Sequence, residues 1–413
     1  MSKQHYTQLG GILPETATLT NVLANQGFVS PHSGRPLSEA MVLGIAGGLG
    51  CGYILWEFEK YESAILVMGF HNKWNYPSEF MQKFCDRVGV QTEFRETGGT
   101  KTAVNHLDEA LEDGRFPIAW VDQQTLPYFY MRSMYSGCFS HFVTVFDQEG
   151  DNYLLDDRSQ KPLVVDGASL SQARARIGSF KNRLLLLHPN GRGFDLPAAV
   201  MAGLEDCIDY LSQSSQTFAP PAYKKWARLM TDTNNKKGWP VVFKDKVGLY
   251  STLRSLYEGI ELFGTAGGGL RRVYADFLDE AQDIVNLTGL QEAAQQYRQA
   301  ARRWSAFADA VLPDSVPPLN ETKKLLKQKY NLFRNEGNDN AAELSRISQK
   351  LEELEVELNG RFHPTHANQQ LVPGPLAQIV QQLGQLVAAK SHVHRQNGRG
   401  QQSIGNRQDG GQR

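Results

Sequence analysis

The stretch Ser140–Ser159, "SHFVTVFDQEGDNYLLDDRS", decides the fold of the N-terminal part of the chain. Aromatic and β-branched residues alternate on both sides of a polar, glycine-containing centre, which is the pattern of a β-hairpin. With the turn centred on Glu149, His141 falls opposite Asp157. Directly opposed residues share a sheet face and have Cβ atoms about 5 Å apart, within reach of a hydrogen bond, whereas Asp156 points to the other face. An imidazole held by a carboxylate is a general base or acid. The same spacing also suits a structural histidine beside a hairpin aspartate.

Outward from the hairpin, "FPIAWVD", "PLVVD" and "RLLLLHP" are short apolar runs bounded by Gly, Asp, Asn or Pro, and they extend it into an antiparallel meander. Upstream, Leu19, Val22 and Leu23 recur at helical spacing behind Pro14, whose fixed φ and missing N–H suit the first helical position, and this helix ends near Gly27. Leu37–Leu43 is helical, and "GIAGGLGCGY" after it needs backbone freedom or close backbone approach, as in a glycine-rich loop able to line a pocket. Ala40–Trp56 is uncharged but short for a membrane span, and its five glycines point to a buried segment. "HPNGRGFDLP" marks a boundary beyond which the periodicity is helical, with long segments at Leu249–Phe263, Leu270–Val285 and Leu290–Val311 and two more beyond "PDSVPP". Leu344, Ile347, Leu351, Leu354 and Leu358 form a seam. It fits a helix packed on its own chain or a short coiled coil joining copies into a homo-oligomer through the C-terminal helices.

These patterns predict an α+β fold in which a domain at 1–190, with helices on an antiparallel sheet, is followed by an all-α domain at 197–312. A helical extension at 313–390 and a disordered tail at 391–413, rich in Gln, Gly, Asn and Arg, complete the expected organisation.

Forty-three Lys and Arg against 44 Asp and Glu leave no bulk field to gather nucleic acid or an anionic membrane, so neither is an expected partner. The four cysteines are scattered, without a C-x-x-C pair or zinc spacing, so the expectation is no disulfide framework, no metal and no cofactor. "MSKQHYTQLGG" has no basic region followed by an apolar run, which makes a reduced cytoplasm the expected location. "GTAGGGLRR" has phosphate-loop spacing, yet Leu270 and Arg271 stand where Lys and Ser/Thr would be needed, and close helix packing explains it more simply. The histidines of "FHPTH" and "SHVHR" lack partnering cysteines or carboxylates.

"PIAWVDQQTLPYFY", "SHFVTVFD" and "LSEAMVLGIAGGLGCGY" together resemble the N-terminal domain family of butirosin biosynthesis protein H. "YKKWARLMTD", "LYEGIELFGTAGGGLRRVYADFLDEA" and the Gly-Trp and Trp positions around them are similar to the helical domain of uncharacterised function that often follows it. The resemblance implies a papain-like fold and acyltransferase chemistry of specialised metabolism. It implies an acyl carrier protein or other thioester donor and a small-molecule amine acceptor as partners. It puts His141 and Asp157 at the family's catalytic histidine and acid, and Asp122 and Tyr128 in the matching "VD…LPY" motif near the pocket. Pro14, its neighbour Glu15, and Gly50 in the glycine run join these as candidate substrate-binding residues.

Family members typically carry a His-Cys pair at the start of the first helix, where this chain has Leu13 and Pro14. A helix N-terminus and a neighbouring imidazolium lower a thiol's pKa and expose the thiolate, and proline supplies neither the thiol nor an N–H for an oxyanion hole. Thr16 points about 200° away around the helix, and Thr18 lies one turn deeper. Cys51 is a candidate displaced nucleophile or a small buried residue, and Cys138 lies at an odd offset from His141. Three readings stay open: an acyltransferase or amide hydrolase with a relocated thiol such as Cys51, a catalytically silent relative that binds a small molecule, carrier domain or protein, and base chemistry by His141 without a covalent intermediate.

Overall fold

In the computed structural model, which describes residues 5–131, 136–191 and 193–361, eight strands form two antiparallel sheets among the described residues. They are β1 (Leu49–Phe58), β2 (Ser63–His71), β3 (Val90–Arg95), β4 (Ile118–Asp122), β5 (Ser140–Glu149), β6 (Asn152–Asp156), β7 (Leu163–Asp166) and β8 (Leu184–Pro189). Strands β1 and β2 pair as a separate hairpin, and the other six run in the order β3-β8-β4-β5-β6-β7. The meander holds from β4 to β7. The last strand departs from it: β8 returns to lie between β3 and β4, because the helix α5 (Gly167–Ala175) packs on β4 and carries the chain back across the sheet.

The hairpin register also differs from the expectation. Gly150 and Asp151 form the turn, Gly150 with φ +61°, and Glu149 pairs with Asn152. An irregularity between Val145 and Asp147 then shifts the ladder so that Thr144 faces Asp156. Asp157 lies beyond the end of β6 rather than inside the strand. An extra residue in one strand cannot be read from alternation alone.

The glycine run is the passage from α2 (Glu39–Ile45) through Gly47 and Gly48, both at positive φ, into strand β1 rather than a long loop. A Cβ on Gly50 would lie 2.1 Å from the His71 carbonyl oxygen, and Cβ atoms on Gly52 and Gly69 would lie 2.3 and 2.1 Å from the Trp74 indole. Here the glycines admit a neighbouring backbone and a flat ring at close range.

The described residues pack as two compact units: the first takes in residues 5–42, Met81–Leu196 and Gln328–Gln349, and the second takes in Leu43–Phe80, Pro197–Lys327 and residues 350–361. This division is discontinuous, since the β1–β2 hairpin groups with helices far along the chain.

The first unit holds the six-stranded sheet with α1 (Pro14–Asn25), α4 (Thr100–Glu112) and α5; α3 (Pro77–Arg87) joins β2 to β3. Residues on all sides of α1 are buried, including Leu19, Val22, Thr16, Thr18 and Asn21. Two of its buried polar residues bond nearby carbonyls: Thr18 Oγ1 donates to the Pro14 carbonyl at 2.8 Å, and Asn21 Nδ2 donates to the Gly10 carbonyl at 2.8 Å.

In the second unit α6 (Leu196–Ser212), α7 (Pro221–Leu229), α8 (Trp239–Asp245), α9 (Leu249–Tyr257), α10 (Arg271–Val285) and α11 (Leu290–Val311) follow, α9 continuing as a π-helix over Glu258–Leu262. Two further helices are α12 (Pro317–Glu336) and α13 (Ala341–Arg361). The seam residues Leu344, Ile347, Leu351, Leu354 and Leu358 of α13 are all buried. Among the described residues no helix is long and apolar enough to cross a membrane. The expected tail at 391–413 and the motifs "FHPTH" and "SHVHR" lie wholly or largely outside the described residues.

Candidate functional site

Asp157, with no exposed side-chain surface, is the hub of a buried polar cluster in the first unit. His141 Nε2 lies 2.7 Å from its Oδ2, the Tyr128 hydroxyl donates to the same oxygen at 3.0 Å, and Arg158 Nε donates to Oδ1 at 2.8 Å. Burial alone would push this carboxyl up, but the Arg158 charge and then the His141 ring hold it well below the usual carboxylate range. The ionised acid accepts, so the natural tautomer puts the imidazole proton on Nε2. His141 Nδ1 has no hydrogen bond among the described residues. The ring also stands edge-on to Phe129, with centroids 5.2 Å apart.

The contact arises differently from the register that the sequence implied. His141 is the second residue of β5, paired with Val121, and Asp157 reaches it from the loop after β6, where Arg158 turns the chain at φ +62°. Neighbouring Asp156 goes elsewhere: its Oδ2 accepts from the Tyr6 hydroxyl at 2.7 Å and from Asn21 Nδ2 at 2.8 Å. Burial pushes the Asp156 carboxyl up to about 6 against those two hydrogen bonds.

At the start of α1, Leu13 is the N-cap in an extended conformation and Pro14 occupies the first turn. The amides before it are not open. Glu39 accepts from Ile12 N at 2.9 Å, from Leu13 N at 2.8 Å and from Thr16 Oγ1 at 2.7 Å, so one carboxyl group takes the positive end of the helix. Burial raises Glu39, while the Thr16, Leu13 and Ile12 hydrogen bonds and the Arg158 charge pull it back. Arg158 connects this end to the histidine pair: its side-chain stem passes within 3.3 Å of where a Gly11 Cβ would be, and its Nε bonds Asp157.

The remaining candidates are placed as follows. Glu15 is buried in the first turn of α1. Asp122 ends β4 opposite Ser140, one residue past the Val121–His141 pair, so alternation turns it to the face opposite His141, where Oδ2 accepts from Thr125 Oγ1 at 2.7 Å. Gly50 and Cys51 lie on β1 in the second unit. The Cys51 thiol is fully buried, and burial pushes it up to about 11 against the Arg271 charge and the Tyr223 hydroxyl. Cys85 is buried and likewise raised by desolvation, while half-buried Cys138 is raised by burial and by the Asp122 charge.

Sequence reasoning missed Arg158 and Glu39. The "DDRS" turn signalled that Arg158 adjoins the aspartates, whereas nothing local in "LSEAM" announces that Glu39 reaches back to residues 12–16.

Residues 14–158 match the family model described as Butirosin biosynthesis protein H, N-terminal, and residues 168–338 match a domain of unknown function (DUF4872). Among curated proteins none matches the chain. The chain therefore carries an N-terminal domain of the butirosin biosynthesis protein H family, a family of biosynthesis-related proteins, followed by that helical domain of unknown function.

Proposed function

We propose that the first unit is an acyl-transfer-type site of specialised metabolism that has lost its covalent step and binds an acylated small molecule or a carrier-borne acyl group without forming an acyl-enzyme. The observation that carries this reading is the occupied helix start: Pro14 supplies no nucleophile and no N–H, and Glu39 holds the Ile12 and Leu13 amides. An anionic tetrahedral intermediate built there would compete with a carboxylate already in place. Each thiol in the described chain is raised in pKa rather than lowered, the opposite of what an attacking cysteine needs.

His141 Nδ1, without a hydrogen bond among the described residues, favours one second reading, in which the ring acts as a base on a bound amine with no covalent intermediate.

Incubation with an acyl-pantetheine thioester, read by intact mass, separates these from a relocated thiol. The native chain stays unmodified under the proposed reading, and the Pro14→Cys variant gains one acyl group. An acyl adduct mapped to any cysteine of the native chain overturns the proposal. Transfer to an added amine that vanishes in His141→Asn, without an adduct, selects the second reading.

A further inference from the structure

Two irregular loops converge on Asp157. One follows β4 and carries Tyr128, and the other follows β6 and carries Arg158. Each contains a residue with a side chain in the left-handed region, Tyr130 at φ +49° and Arg158 at φ +62°, a conformation such residues keep only when their surroundings hold it. Both loops are held by the same segment. At the end of α12, Lys329 Nζ donates to the Phe129 carbonyl at 2.7 Å, and the Arg334 carbonyl accepts from Gln160 N at 2.7 Å. The Ala341 carbonyl accepts from the Tyr130 hydroxyl at 3.0 Å. Lys161 Nζ pairs with Glu336 and Asp339 at 3.0 and 2.6 Å.

Between the loops sits Phe333, 3 % exposed. Its ring centroid is 6.0 Å from that of Tyr128 and 5.5 Å from that of Phe129, and the Arg158 guanidinium carbon lies 5.9 Å over it. Phe333 thus touches both groups that, with His141, satisfy Asp157.

We infer that the end of α12, through Phe333 and Lys329, is a positioning element for the His141–Asp157 pair. This assigns a task to the last part of the matched domain of unknown function, since residues 328–338 fall in that match but pack in the first unit. The inference rests on the same site as the proposed function. Phe333 packs against the planar guanidinium and the phenol so that Arg158 Nε and the Tyr128 hydroxyl stay aimed at opposite oxygens of Asp157, leaving Oδ2 aligned on Nε2. Lys329 fixes the Phe129 carbonyl, and with it the aromatic ring that stands against His141.

The test is proton NMR of the whole chain, following the imidazole N–H bonded to Asp157, assigned by its loss in Asp157→Asn and His141→Asn. The expected result is slow solvent exchange of that proton in the native protein. Exchange should be about tenfold faster or more in Phe333→Ala and in Lys329→Met, and near-native in Phe333→Leu, which refills the space. Circular dichroism verifies the fold, and Lys329→Met carries the test if Phe333→Ala does not fold. Unchanged exchange in the folded variants overturns the inference and leaves the proposed function standing. A thioester adduct on the native chain does the reverse.

Discussion

Replacing Asp156 with asparagine gives a stability difference whose pH dependence follows directly from the structure. Asp156 is 2 % exposed, and burial lifts its carboxyl to about 6. In the unfolded chain it titrates near 3.9. Between those values the folded state binds more protons than the unfolded one, so this group's contribution to stability falls as pH rises through that window and is fully lost above about pH 7. At about 1.4 kcal/mol per unit the whole effect is about 3 kcal/mol, of which about 2 kcal/mol falls between pH 4.5 and pH 8. Asparagine cannot ionise. Its amide oxygen can still accept from Tyr6 and Asn21, both of which bond the single oxygen Oδ2. Its NH2 takes the place of Oδ1, which has no hydrogen-bond partner among the described residues, at a pH-independent cost of about 1–2 kcal/mol. The variant minus wild-type stability should therefore rise by about 2 kcal/mol from pH 4.5 to pH 8 and change sign on the way. Hydrogen exchange of the β5 and β6 amides, measured by mass spectrometry at both pH values, reports opening of the first unit without involving the second. Other carboxyls cancel in the difference, including Asp157, whose contribution has the opposite sign and is lost as pH falls below the usual carboxylate range. A difference that is flat with pH would refute the assignment of a raised carboxyl to Asp156.

Two further outcomes follow from burial. Iodoacetamide on the native protein should label Cys138 alone, with Cys51, Cys85 and Cys207 reacting only after denaturation, because those three are buried and the first is half-exposed; peptide mapping checks this, and native labelling of Cys51 would contradict its enclosure. Gly69→Ala puts a methyl 2.1 Å from the Trp74 ring and should destabilise the second unit by about 2–3 kcal/mol, measured by urea unfolding followed by β1–β2 exchange.

The histidine pair illustrates how a correct contact can come from an incomplete reading. Alternation in "HFVTVFD" and "NYLLDD" located both strands and brought residue 141 near residue 157, although the turn sits at Gly150–Asp151 and the ladder carries an irregularity. The contact survives because Asp157 lies past the strand end, where the left-handed turn at Arg158 brings the chain back toward the start of β5. The glycine run shows the limit of the same reasoning, since backbone freedom and close approach leave the same mark in sequence and only Trp74 and His71 distinguish them.

What the sequence by itself determined is local: the α1 start at Pro14, the apolar strands beyond Phe116, the long helices after residue 196 and the absence of a cysteine at the helix start. These depend on periodicity, fixed φ and residue identity within a few positions. The tertiary structure alone decided that β8 returns beside β4, that Glu39 closes the amides before α1, and that Phe333, some 190 residues beyond His141 in the chain, stands behind the site. Such pairings form when distant segments bury surface together, and no periodicity within either segment encodes its partner.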